Sequence, residues 1–128
     1  MTLRIDTLTF DCADPVRVAT FWGEALGFPL DPGSDDDGAY LSDPTGKTGG
    51  IFFQPVPEPK VAKNRFHPDV RPSGSMTAEV DRLQGLGGSV VGRVDVAQSF
   101  WTVMQDPEGN EFCVLRGPED GWTPPSDE

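Results

Sequence analysis

The feature that most constrains this chain is a repeat. Asp43-Pro44-Thr45-Gly46 returns half a chain later as Asp106-Pro107-Glu108-Gly109, and the pair Leu26-Gly27 returns as Leu86-Gly87. The landmarks recur in the same order, so the front and back of the chain read as two copies of one unit. Neither copy is large enough to cover both faces of its own sheet, so the uncovered faces are expected to enclose a cleft. At 128 residues the chain has room for one domain with one core.

The first copy runs over about residues 3–54. Leu3 to Cys12 reads as a strand, rich in large apolar and β-branched residues. Asp14 then offers an N-cap acceptor and Pro15 suits the first helical position. Val18, Ala19, Trp22, Ala25 and Leu26 recur at helical spacing as far as Gly27. Phe28 to Asp31, Ala39 to Ser42 and Gly50 to Gln54 read as strands. The acidic run between them lacks the spacing of a calcium loop and reads as a solvated tip.

A proline-rich connector, 55–65, separates the copies. The second copy, about 66–116, restarts the pattern: a strand over Phe66 to Val70, a helix carrying Met76, Val80, Leu83 and Leu86, and strands over Ser89 to Val96, Phe100 to Gln105 and Asn110 to Arg116. A tail, 117–128, is acidic and proline-rich. The predicted class is α+β: two βαβββ repeats forming a partly closed, cup-like mixed sheet with helices on the outside, in a single domain over 1–128.

A net charge of −11 argues against nucleic acid or an anionic membrane as partner. It is permissive for a cationic ligand. The N-terminal residues lack the apolar run of a signal peptide and no stretch has the length of a membrane span, so the cytoplasm is the expected location. Cys12 and Cys113 are far apart and read as reduced, buried thiols. The chain has no G-x-S-x-G, no P-loop and no G-x-G-x-x-G, and one histidine, His67, excludes a histidine-rich metal site within a single chain.

Asp14-Pro15 before a helix with Phe21-Trp22 and Leu26-Gly27, then His67, Leu86-Gly87-Gly88 and Asp106-Pro107-Glu108-Gly109-Asn110, resemble the vicinal-oxygen-chelate superfamily over roughly 3–116. That superfamily includes glyoxalase I, extradiol dioxygenases and bleomycin-resistance proteins. The resemblance implies the fold, commonly a homodimer, and in metal-dependent members two ligands per repeat on the first and last strands. The matched positions here are Thr7, Gln54, His67 and Cys113. They give one imidazole and no carboxylate, so the metal site reads as eroded.

Strand alternation puts His67, Asp69 and Arg71 on one face, and Glu111 with Cys113 on another strand. His67 and Asp69 are the candidate general base and its orienting carboxylate; Asp69 as a plain cap or ion-pair partner is the simpler reading. His67 with Glu111 is the candidate metal pair. His67, Gln54, Trp101 and Cys113 are the candidate ligand-binding residues, with aromatic residues either lining the cup or filling the core. Trp122 either covers the cleft, docks on a partner subunit, or belongs to a disordered tail. The functional expectation is a protein that binds a small organic molecule in the cup, with no cofactor implied by the residues themselves. Two alternatives stand beside it: a divalent-metal-dependent lyase, isomerase or dioxygenase of the glyoxalase type, and a drug-sequestering protein of the resistance type.

Overall fold

In a computed structural model, which describes residues 2–97 and 99–125, the chain divides into two compact units, Met1–Val61 and Ala62–Glu128. The acidic end of the tail, Asp127 and Glu128, lies outside the described residues.

In the first unit β1 (Thr7–Cys12) leads into α1 (Pro15–Leu26), followed by β2 (Ala39–Leu41) and β3 (Gly50–Pro55). The Asp14 side chain accepts the Arg17 N–H at 3.2 Å and Pro15 opens the helix. Gly27 ends it at φ 73°, in the left-handed region that costs glycine little. Val18, Ala19, Phe21 and Trp22 form the buried face. Trp22 packs on Phe10 at 5.4 Å between ring centroids, and Phe10 on Phe53 at 5.1 Å, so one face of the sheet closes on the helix. The strand order is β1-β3-β2, with β1 parallel to β3. Where a further strand was expected, Phe28 to Asp31, only Leu30 pairs, through an isolated antiparallel bridge to Leu41. Pro29 and Pro32 flank it and remove the N–H groups that a longer ladder needs.

The second unit holds β4 (Asp69–Val70), α2 (Met76–Gly85), β5 (Ser89–Val96), β6 (Ser99–Gln105), β7 (Glu111–Leu115) and a 3-10 turn, Pro118–Asp120. Its order is β4-β7-β6-β5, with β4 parallel to β7. Each unit therefore has its first strand parallel to its last, its last antiparallel to the one before, and Leu30 stands in the first unit where β5 stands in the second. Met76, Val80 and Leu83 of α2 are buried with Thr102, Met104, Phe112 and Val114, and the Thr102 hydroxyl donates to Met76 Sδ at 3.5 Å.

The two D-P-x-G turns are alike in chemistry as well as letters. Asp43 Oδ1 accepts the Thr45 N–H at 2.8 Å and Asp106 Oδ1 the Glu108 N–H at 2.9 Å. Gly46 and Gly109 both sit at positive φ, 70° and 87°. Asp43 also accepts from the Thr48 backbone and from both threonine hydroxyls, and these bonds, led by the Thr48 N–H, hold its carboxyl well below the usual carboxylate range.

The first residues of the tail are tied down. Asp120 Oδ2 accepts the Met76 N–H at 2.7 Å, satisfying an otherwise open donor at the start of α2, and the Gly117 N–H at 2.9 Å. Gly117 lies so close to the Gly74 carbonyl that a Cβ would fall 2.0 Å from its oxygen. This docking fixes where Trp122 emerges.

Candidate functional site

One face of the second unit's sheet is closed by α2; the residues alternating with that buried set point the other way. Glu111, Cys113 and Leu115 on β7, Trp101 and Val103 on β6, and Asp69 on β4 line a groove of about 600 Å³. All of its lining residues belong to the second unit.

At one part of the groove three groups converge. Asp69 lies opposite Cys113 in the parallel register. The strand expected from Phe66 begins only at Asp69, because Pro68 has no N–H to pair, yet its carbonyl accepts the Cys113 N–H at 3.0 Å. His67 thus precedes the strand, and its Nδ1 still reaches Asp69 Oδ1 at 3.2 Å with the ring side chain 36% exposed. The ligand atoms of His67, Asp69 and Cys113 lie within 4.8 Å of one another. Burial pushes the Cys113 thiol up; the Asp69 charge and a hydrogen bond to it add to the effect, and Lys63 opposes it. The thiol is therefore a poor nucleophile at neutral pH.

Glu111 has a different task. Its Oε1 accepts the Asn64 N–H at 2.9 Å and its carbonyl the Asn64 side-chain amide at 3.1 Å, which ties the end of the connector to β7. Gln54 is exposed on β3 of the first unit, opposite Asp11, and its carbonyl accepts the Cys12 thiol at 3.6 Å. Thr7 donates its hydroxyl to Asp6 at 2.9 Å. The structure brings His67, Asp69, Cys113, Trp101 and Glu111 to one groove; Gln54 and Thr7 are elements of the other unit.

An imidazole nitrogen, a carboxylate and a thiol at these separations suit a borderline divalent ion such as zinc, which takes N, O and S donors in tetrahedral geometry. Binding would replace the His67–Asp69 bond and remove the thiol proton. Without an ion, Asp69 orients the imidazole through its Nδ1 contact.

Two contributors went unread in the sequence: Lys63 and Arg116 line the groove beside Arg71 and Trp122. The Arg71 guanidinium stacks 4.0 Å from the Trp122 ring centroid and donates through Nη1 to the Arg116 carbonyl at 2.7 Å. Arg71 carries the same parity as His67 and Asp69, which was its one local signal. The groove carries Lys63, Arg71 and Arg116 beside Asp69 and Glu111, against the acidic balance of the whole chain.

This chain belongs to the family of glyoxalase-like domains, whose model matches residues 7–115. That agrees with the vicinal-oxygen-chelate resemblance. Among solved structures it is similar to a fosfomycin resistance protein, FosX, from Listeria monocytogenes, in a mutant complexed with Mn(II) and 1S,2S-dihydroxypropylphosphonic acid: TM-score 0.72, 13% identity, covering 91% of this chain and 92% of that one. It is similar also to a glyoxalase/bleomycin resistance protein/dioxygenase family enzyme from Burkholderia phytofirmans (TM-score 0.68, 15% identity, 85% and 94% covered). A glyoxalase-related enzyme from Fulvimarina pelagi matches with TM-score 0.68 at 14% identity, 91% and 90% covered. Identities this low carry the fold alone. A comparison with curated proteins found no match. Among the described residues no helix is long and apolar enough to cross a membrane.

Proposed function

We propose that the protein binds a small organic molecule in the groove of its second unit, against Trp101, with His67 and Cys113 at the polar end. The observation that carries this reading is the groove itself: about 600 Å³, walled by Phe100, Trp101 and Trp122, with His67, Asp69 and Cys113 converging on it. Its size and its mix of aromatic walls with few polar groups suit a drug-sized ligand. On this reading the family metal site is eroded: of the matched positions, the first copy offers only the Thr7 hydroxyl and the Gln54 amide. A homodimer residing in the cytoplasm belongs to the same proposal.

The test is a screen of small organic molecules read by the rise in melting temperature, repeated on variants. Trp101→Ala and His67→Ala are each expected to weaken the hits by about tenfold, while shifting the ligand-free melting temperature by only a few degrees, roughly. A large loss of thermal stability in His67→Ala with affinity unchanged would assign the imidazole a structural role and contradict the proposal.

The three converging donors favour a second reading, a divalent-metal-dependent enzyme of the glyoxalase type whose ion is held by His67, Asp69 and Cys113. The chemistry supplied there would be polarisation of a substrate oxygen. Direct metal binding, treated in the Discussion, separates the two.

A further inference from the structure

We infer that the groove selects a planar organic anion, an aromatic carboxylate or phosphate ester, in spite of the acidic character of the whole chain; the inference rests on the groove being the ligand site. The chain has 10 Lys and Arg against 21 Asp and Glu. Lining the groove, however, are the cations Lys63, Arg71 and Arg116 and only the carboxylates Asp69 and Glu111.

The state of those charges decides the sign. Both carboxylates are already engaged by the protein: Asp69 with His67 and the Cys113 thiol, Glu111 with the Asn64 backbone. Among the described residues Lys63, Arg71 and Arg116 form no ion pair with a carboxylate, whereas Arg4, Arg82 and Arg93 do. A cationic ligand would compete for carboxylates already in use. An anion meets charged donors with no carboxylate to give up.

Arg71 is also ordered before any ligand arrives, held between the Trp122 ring and the Arg116 carbonyl. A guanidinium pinned this way keeps its remaining N–H donors for a bidentate partner, and little side-chain freedom is lost on binding. Phe100 lies under the Arg93 guanidinium at 4.3 Å, with that of Arg116 at 5.8 Å from its centroid. Cations set among half-buried aromatic rings match a flat ring carrying an acidic substituent. The low-dielectric aromatic wall strengthens the charge contact.

The experiment compares three probes of one shape on the full chain freed of metal by chelator: 2-naphthoate, the neutral 2-naphthamide and the cationic 2-naphthylmethylammonium, each followed by calorimetry. The anion is expected to bind about tenfold tighter than the amide, and the cation weakest. Arg116→Gln and Lys63→Gln are each expected to weaken naphthoate by about tenfold and leave naphthamide unchanged. Raising salt should narrow the gap between anion and amide. If the cation binds as well as the anion, or the two variants affect anion and amide alike, the inference falls while the groove keeps its role as a ligand site. If none of the three binds, both fall.

Discussion

Replacing Phe112 by alanine is expected to lower the unfolding free energy by about 3–5 kcal/mol in urea denaturation, whereas Cys113→Ala, one residue along the same strand, costs about 1 kcal/mol or less. Both side chains are buried, so exposure alone does not separate them. What separates them is the volume removed, a ring against a single sulfur, together with the face. Phe112 lies with Met76, Leu83, Met104 and Val114 in the fully enclosed core under α2, and a cavity there has no means of filling. Cys113 lines the groove, where its truncation opens onto space that already exists. Equal costs would mean that β7 does not divide core from site.

The second large effect concerns metal. If the converging donors hold an ion, zinc binding measured by competition with a chromophoric chelator is expected to drop by roughly 100-fold or more in His67→Ala and in Cys113→Ser. The pH dependence has a definite sign. The Cys113 thiol is held above its ordinary value by burial and by Asp69, so each bound ion must displace a proton, and affinity rises as pH rises across the neutral range. A flat profile, or loss in neither variant, removes the metal-dependent reading and leaves the organic ligand as the occupant.

Much of the architecture was legible because it is written in local chemistry. Asp43 and Asp106 organise their turns through bonds to residues two positions on, and Asp14 caps its helix through a bond three positions on. Such signals survive in a single sequence. Strand ends were less legible, because pairing depends on a distant partner: Pro29 and Pro32 reduce Phe28 to Asp31 to one bridge, and Pro68 shortens the strand before the second helix to Asp69–Val70.

The site shows the same division. Alternation paired His67 with Asp69 and Cys113 with Glu111, and all four line the groove. It gave no hint that Glu111 would be taken up by Asn64, or that Lys63 from the connector and Arg116 from the strand end would join Arg71 in one groove. A net charge averages over the surface and hides a local reversal of sign. Trp122 was open to three readings for a related reason. What positions it is Asp120 capping α2, a contact between residues far apart in the chain.

The chain carries three tryptophans, and they make the proposed ligand site directly observable. Trp101 and Trp122 line the groove, and Trp22 is buried in the core of the first unit. In a titration with 2-naphthoate followed by the indole N–H signals in nitrogen-15 NMR, the Trp101 and Trp122 resonances should shift together along one binding curve while Trp22 stays in place. A saturable curve on which Trp22 alone moves, or binding that leaves both groove indoles untouched, would contradict the assignment of the groove as the place where this protein meets its ligand.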